Sequence, residues 1–97
     1  MFWSKTFASG NDTIVAICDK DLLGKTLKQE NLNVKISESF YGGCLVDEAE
    51  AKEMMRKSRS GNLFGKRITA IAEKAGFITE KNIILIDGIP HAQFIKA

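Results

Sequence analysis

The sequence predicts a small α+β domain in which two helices pack on a largely antiparallel sheet. Two observations indicate this class: segments rich in β-branched and aromatic residues lie near both ends of the chain, and segments with helical spacing lie between them. The predicted order of elements is βββααββ. At 97 residues, the chain is expected to form a single domain, residues 1–97, because a second hydrophobic core would need more sequence.

The N-terminal segment is predicted to be a β-hairpin. Its strands, residues 2–8 and 13–18, flank the turn sequence Ser9-Gly10-Asn11-Asp12. The second strand carries apolar residues on both faces, which is typical of a central strand. Residues 32–36 alternate between apolar and polar, so they predict a third strand with one solvated face.

Two helices are predicted in the middle of the chain. Asp47 is expected to cap a helix over residues 48–58, with Glu50 completing a capping box. Gly61-Asn62 is expected to break this helix and start a second one, which Gly76 ends. The apolar stripe predicted for the second helix contains Phe64, Ile68, Ile71, Ala72 and Ala75.

The C-terminal segment predicts a buried strand at 83–86, a turn at 87–90 and a final strand at 91–96. With the earlier elements, these strands define an expected hydrophobic core. The predicted core residues are Val15, Ile17, Val34, Ile36, Phe64, Ile68, Ile71, Ile84 and Ile86.

Composition and charge exclude several classes of protein. Cys18 and Cys44 are far apart and accompany a single histidine, so neither a zinc site nor any other metal site is expected. No motif requires a cofactor. The longest apolar run, Ile83 to Ile86, is too short to cross a bilayer, so we expect a cytoplasmic protein without a membrane partner. The net charge of +2 does not by itself indicate nucleic-acid binding.

The most unusual local chemistry lies in two short motifs, Phe40-Tyr41-Gly42-Gly43-Cys44 and Ile89-Pro90-His91-Ala92-Gln93. Adjacent glycines let a ligand approach the backbone, and the single histidine titrates near neutrality. We expect the two motifs to lie close together and to form a candidate functional loop. Its residues are Tyr41, Gly42, Gly43, His91 and Gln93. The alternative is structural, with the glycines forming a sheet-to-helix turn at positive φ.

Strings along nearly the whole chain form a recognisable pattern. They are Ala16-Ile17-Cys18-Asp19, Leu22-Leu23-Gly24-Lys25-Thr26, Phe40-Tyr41-Gly42-Gly43, Leu45-Val46-Asp47, Asn62-Leu63 with Gly65, and Gly88-Ile89-Pro90-His91-Ala92-Gln93. The chain thereby resembles the archaeal family known as domain of unknown function 424. The resemblance implies an archaeal source and a compact α+β domain, and it carries no established activity. Translation-related roles have been suggested for such archaeal proteins, so the resemblance also implies a link to translation as an expectation.

Basic residues on the two predicted helices give the strongest partner signal. They are Lys52, Arg56, Arg59, Lys66, Arg67 and Lys74. The first three follow the spacing i, i+4 and i+7, which places them on one side of a helix as a basic strip. Such a strip would bind the phosphates of RNA. The alternative is an ordinary solvated surface, because glutamates are interspersed with these cations.

Three functions follow from these features. The leading hypothesis is a non-catalytic intracellular adaptor that contacts RNA or a ribonucleoprotein, with a link to translation. The second is a protein-interaction subunit or homo-oligomer that uses an exposed Phe2, Trp3 or open sheet edge. The third is a small-molecule enzyme, which requires Tyr41, Cys44 and His91 to converge in one cleft.

Overall fold

A six-stranded sheet and a separate two-stranded hairpin, joined by short helices, make up the computed structural model, which describes residues 1–96. The elements in chain order are β1 (Phe2–Ser9), β2 (Asp12–Asp19), a 3₁₀ turn (Lys20–Leu22), β3 (Thr26–Gln29), β4 (Leu32–Lys35), α1 (Glu38–Tyr41), β5 (Cys44–Val46), α2 (Glu48–Lys57), β6 (Ser60–Phe64), α3 (Lys66–Lys74), a second 3₁₀ turn (Glu80–Asn82), β7 (Ile83–Ile86) and β8 (Ile89–Ile95). Ala97, the last residue of the predicted domain, lies outside the described residues.

The strands of the main sheet follow the order β5-β1-β2-β6-β8-β7. Neighbours are antiparallel except for β2 and β6, which are parallel. The α+β class and the largely antiparallel sheet are therefore confirmed. The predicted N-terminal hairpin is also confirmed, and its second strand is central because β1 and β6 flank it.

Each face of the main sheet has its own hydrophobic cluster. On the helix face, α2 and α3 cover a cluster that includes Ile17, Met55 and Ile68. On the opposite face, here called the hairpin face, α1 and the β3–β4 hairpin cover a cluster that includes Cys18 and Phe64. Full burial of a large aliphatic side chain contributes about 1.5–3 kcal/mol, so both layers stabilise the fold.

The start of α2 follows local sequence rules. The Asp47 carboxylate accepts the Glu50 backbone N–H at 2.8 Å, and the Glu50 carboxylate accepts the Asp47 N–H at 3.0 Å. This is the predicted capping box. Ala51, Met55 and Ser58 are buried, so the apolar side of the helix faces the sheet.

The predicted helix start at Gly61-Asn62 is wrong, because Ser60–Phe64 forms the central strand β6. A Cβ atom on Gly61 would lie 2.4 Å from the ring of Phe94 on β8. The glycine therefore permits a close approach within the sheet and does not break the chain. The helix α3 begins only at Lys66, so Phe64 lies on the hairpin face and does not belong to a helical stripe.

Asp19 joins the end of β2 to the start of α3. Its carboxylate accepts the backbone N–H groups of Arg67 at 3.0 Å and Ile68 at 2.9 Å, which satisfies two donors of the first helical turn. A Cβ atom on Gly65 would lie 2.3 Å from this carboxyl group, and Gly65 has a φ of +124°. Glycine is therefore the residue that fits this junction.

The predicted core is correct in its centre and wrong at one edge. Buried members are Val15, Ile17, Ile36, Phe64 and Ile68, whereas Val34, Ile71 and Ile86 are half-buried. Ile84 is 57% exposed because β7 is an edge strand. The turn before β8 is also shorter than predicted, since Asp87 and Gly88 alone provide it with positive φ angles.

The third predicted strand corresponds to β4, which pairs with β3 and not with the main sheet. The sequence prediction lacks β3, β5 and β6. These strands have three to five residues each, too few to show a period.

Candidate interaction surface

An aromatic ring connects the two distinctive motifs. The ring centroids of Tyr41 and Phe64 are 6.4 Å apart, and those of Phe64 and His91 are 4.7 Å apart. Register explains the second contact, because His91 lies directly opposite Phe64 on the neighbouring strand. A single side chain thus bridges the Tyr41 loop and the Pro90-His91 segment.

The glycine pair has a packing role. A Cβ atom on Gly42 would lie 2.8 Å from the Glu38 carbonyl oxygen, and one on Gly43 would lie 2.5 Å from the Ser4 carbonyl oxygen. Neither glycine has a positive φ, so close approach and not backbone handedness favours glycine at both positions. Tyr41 is buried beside them, and burial raises the pKa of its hydroxyl.

Cys44 and His91 are far apart in the fold. Strands β1, β2 and β6 lie between β5, which carries Cys44, and β8, which carries His91. Neighbouring strands are separated by about 4.8 Å, so the two residues cannot be in contact. They also face opposite sides, since Cys44 pairs with Ser4 and His91 pairs with Phe64 on the hairpin face. Tyr41, Cys44 and His91 therefore do not form one cleft.

The other thiol, that of Cys18, is unreactive as a nucleophile. Cys18 is buried on the hairpin face, and desolvation, with smaller contributions from Asp19 and Asp21, raises its pKa to about 12. A thiol that stays protonated at neutral pH is a poor nucleophile. Cys18 is therefore a packing residue of the sheet.

The three cations of the predicted basic strip are paired with acidic side chains. Lys52 lies 3.1 Å from Glu48, and Arg56 lies 2.6 Å from Glu53. The Arg56 hydrogen bonds hold the pKa of Glu53 at about 2, and this carboxylate raises the pKa of Arg56. These contacts reduce the positive charge that α2 presents to an RNA phosphate.

Arg59 is also engaged. It lies beyond the end of α2, where its Nε donates to the Lys96 carbonyl oxygen at 2.8 Å. Its guanidinium is 3.7 Å from the Asp12 carboxylate. Arg59 therefore links the ends of two strands, and the helical alignment expected with Lys52 and Arg56 stops before it.

The cations of α3 differ from those of α2. Within residues 1–96, Lys66, Arg67 and Lys74 form no ion pair and are exposed. The guanidinium of Arg67 lies 5.0 Å from the ring centre of Phe2. Of the six predicted cations, those without an ion pair in the described part of the chain are therefore the three on α3.

The exposed groups of β8 lie on the hairpin face. Ala92 and Phe94 are buried on the helix face, so the alternating His91 and Gln93 face the other side. Gln93 Nε2 donates to Asn62 Oδ1 at 2.7 Å. His91 is half-buried, and desolvation lowers its pKa, so the imidazole is neutral at physiological pH.

Exposed apolar side chains lie on the same two strands, with Ile84 and Ile95 on the hairpin face and Leu85, by alternation, on the helix face. Ile84 is 57% exposed, Leu85 58% and Ile95 80%. Shallow depressions on either side of Gln93 are lined by Ile84 and Ile95 among others. We call this region the open sheet end and define it by Asn62, Ile84, Leu85, His91, Gln93 and Ile95.

Sequence reasoning identified His91 and Gln93 in this region but missed its apolar members. The run Ile83–Ile86 was expected to be buried, and only the strand order reveals that it forms an edge. Phe2 is buried and Trp3 half-buried, so the exposed aromatic pair expected at the N-terminus does not exist. The open sheet edge considered with them does.

Other kinds of site are not assembled in the part of the chain that the structure describes. No group of three or more His, Cys, Asp or Glu side chains within residues 1–96 is placed to hold a metal ion. None of the helices in the same range is long and apolar enough to span a membrane.

The fold and this surface define a small α+β domain whose distinctive groups lie on a sheet face and at a sheet edge. The chain belongs to the family described as "Protein of unknown function (DUF424)", whose model matches residues 7–97. It is similar to an uncharacterized conserved protein from Methanopyrus kandleri, with 26% sequence identity and a TM-score of 0.80. That alignment covers 99% of this chain and 94% of the other. No curated protein matches the chain.

Proposed function

We propose that the protein is a non-catalytic interaction module that docks another protein through the open sheet end. The observation that carries this proposal is the exposure of Ile84, Leu85 and Ile95 at one end of the sheet. Burial of apolar surface contributes about 25 cal/mol per Å², so a partner that covers these side chains gains affinity. Large apolar side chains exposed on two adjacent strands are typical of protein interaction sites.

The polar chemistry of the open sheet end also suits a protein partner. Its six residues carry no charged side chain at neutral pH, because His91 is neutral. Centres of protein interfaces are depleted of charge, whereas nucleic-acid interfaces are rich in lysine and arginine. The amide pair of Gln93 and Asn62 uses one donor and one acceptor, so its remaining groups can bond to the backbone of a partner.

The test compares matched surface variants in affinity purification from the native host. Ile84→Lys and Ile95→Lys place a charge in the open sheet end, and Leu32→Lys makes the same change at another exposed position, which is 67% accessible on β4. Partners retained by wild type and Leu32→Lys but lost from the other two variants support the proposal. Identical partner sets for all four proteins overturn it.

A second candidate is the RNA- or ribonucleoprotein-binding adaptor, in a form that relies on α3. The observation that favours it is the absence, within residues 1–96, of ion pairs at Lys66, Arg67 and Lys74. If three such contacts reach phosphates, log affinity for single-stranded RNA falls against log salt with a slope of about 2.

The adaptor is tested by RNA binding at several salt concentrations. Lys66→Glu with Arg67→Glu is expected to weaken binding across sequences, because phosphate contacts do not read bases. Arg56→Glu is the comparison on α2, where the cation is already paired with Glu53 and less effect is expected. Enrichment of ribosomal RNA or tRNA with the wild-type protein would connect the adaptor to translation. Unchanged binding by the α3 double variant contradicts this mode.

A further inference from the structure

Pro90 shows which residues of β8 direct their backbone groups towards β6. The Pro90 carbonyl accepts the Gly65 backbone N–H at 2.8 Å, so the backbone groups of Pro90 point towards β6. Lys96 is six residues further along the chain, and its N–H donates to the Arg59 carbonyl, which is also on the β6 side. Because backbone groups alternate in direction along a strand, His91 points towards β7.

The same alternation fixes the outer side of β7. His91 pairs with Ile84, so Ile84 directs its N–H and C=O groups towards β8. Ile83 and Leu85 then direct theirs away from the sheet, where no strand follows β7. The next outward N–H, that of Asp87, is already bonded to the side chain of Gln29 at 2.7 Å.

These edge groups match those of an identical strand in antiparallel orientation. A two-fold axis perpendicular to the sheet can pass between the two copies of Ile84. It then places Ile83 opposite Leu85 of the second copy. Both residues then exchange their outward N–H and C=O groups with the other strand. An axis through Leu85 would instead place Ile83 opposite Asp87, whose N–H is occupied.

The same register is complementary in side chains. Ile84 lies beside Ile84 of the second copy on the hairpin face, so two apolar side chains meet at the axis. The strand itself, Ile83–Ile86, has neither a charge nor a proline, the devices by which edge strands normally avoid pairing.

We infer that the β7 edge of the open sheet end pairs with a second copy of this chain, through antiparallel pairing of β7 with β7 about Ile84. This inference rests on the proposed docking function and specifies its partner. The two main sheets become one continuous sheet, and the side chains of Ile84 and Leu85 become less exposed. A four-residue strand is a short interface, so we expect a weak dimer.

Sedimentation equilibrium over a wide concentration range tests the dimer. Ile84→Lys introduces like charges at the axis, and Leu85→Pro removes an outward N–H while leaving the Ile84 and Ile86 positions that pair with β8. Each is expected to raise the dissociation constant at least about tenfold. Leu32→Lys should leave it unchanged.

Amide hydrogen exchange of the wild-type protein provides a measurement that does not depend on how variants fold. The amides of Ile83 and Leu85 should gain protection as concentration rises, while the Asp87 amide changes little. A protein that stays monomeric at millimolar concentration overturns the inference, as does a dimer insensitive to both β7 variants. If the monomer still loses a different protein partner on Ile84→Lys, the docking function stands and only the second copy is rejected.

Discussion

Gly65 and Pro90 face each other across β6 and β8 through one backbone hydrogen bond, from the Gly65 nitrogen to the Pro90 carbonyl at 2.8 Å. A bonded antiparallel pair usually exchanges two such bonds. Here the Gly65 carbonyl accepts the hydroxyl of Thr69 at 2.8 Å, within the first turn of α3. Proline has no N–H to leave unpaired, so Pro90 suits the point at which β6 gives way to the helix.

Replacement of Gly65 by alanine should therefore destabilise the protein strongly. The added methyl would collide with the Asp19 carboxylate at 2.3 Å, and the backbone would hold a side chain at a φ of +124°. Strain and loss of the Asp19 cap together should lower the free energy of unfolding by at least about 2 kcal/mol. Denaturant unfolding measures this change.

Gly76→Ala is the matched control for that substitution. Gly76 also has a positive φ, +86°, but nothing lies within 4 Å of the position a Cβ would take. It should lose only the backbone preference, about 1 kcal/mol. Equal losses at Gly65 and Gly76 would show that contact with Asp19 has no energetic weight.

Asp19→Ala is expected to destabilise α3 without changing the partners of the protein. It removes the acceptor of the Arg67 and Ile68 N–H groups, and loss of a helix cap costs about 1–2 kcal/mol. Asp21→Ala is the control, since this nearby aspartate is exposed. If both variants unfold at the same denaturant concentration, the capping role assigned to Asp19 is wrong.

The sequence predicted best what neighbouring residues decide. The capping box at Asp47 and Glu50 involves residues three positions apart, so the pattern was visible in the chain. The cap at Asp19 joins positions separated by 48 and 49 residues, and no local pattern reveals it. For the same reason Gly61 was interpreted as a helix break, because the ring of Phe94 that presses on it comes from a distant strand.

The candidate site divides in the same way. Alternation along β8 correctly placed His91 and Gln93 on one face, because a strand alternates wherever it lies. The basic strip is right only for Lys52 and Arg56, because Arg59 lies beyond the end of α2. Glu48 lies four residues before Lys52 and Glu53 three residues before Arg56, so each carboxylate pairs with its cation. The exposure of Ile84 depends on strand order, which alternation cannot supply.

The two thiols should differ sharply in reactivity. Cys44 is exposed, whereas Cys18 is buried with a pKa raised to about 12. A thiol reagent at about pH 8 should therefore label one of the two cysteines in the folded protein and both after unfolding. Cys44→Ser should abolish labelling of the folded state. Rapid labelling of Cys18 in that variant would contradict the buried position of β2.

His91 should make stability depend on pH in a predictable direction. Burial lowers its pKa in the folded protein below the ordinary value of 6.5, so between the two pKa values the unfolded chain holds more protons than the folded one. Stability must then rise with pH in this window, and it is lost as pH falls from about 6.5 through the lower pKa of the folded state.

His91→Phe keeps an aromatic ring beside Phe64 and cannot take up a proton. Unfolding of wild type and variant from about pH 8 to about pH 5 isolates the effect, because carboxylates common to both proteins cancel in the difference. Wild type should lose stability relative to the variant as the solution becomes acidic. A difference that stays constant, or that changes in favour of the wild type, would show that the imidazole is not desolvated against Phe64.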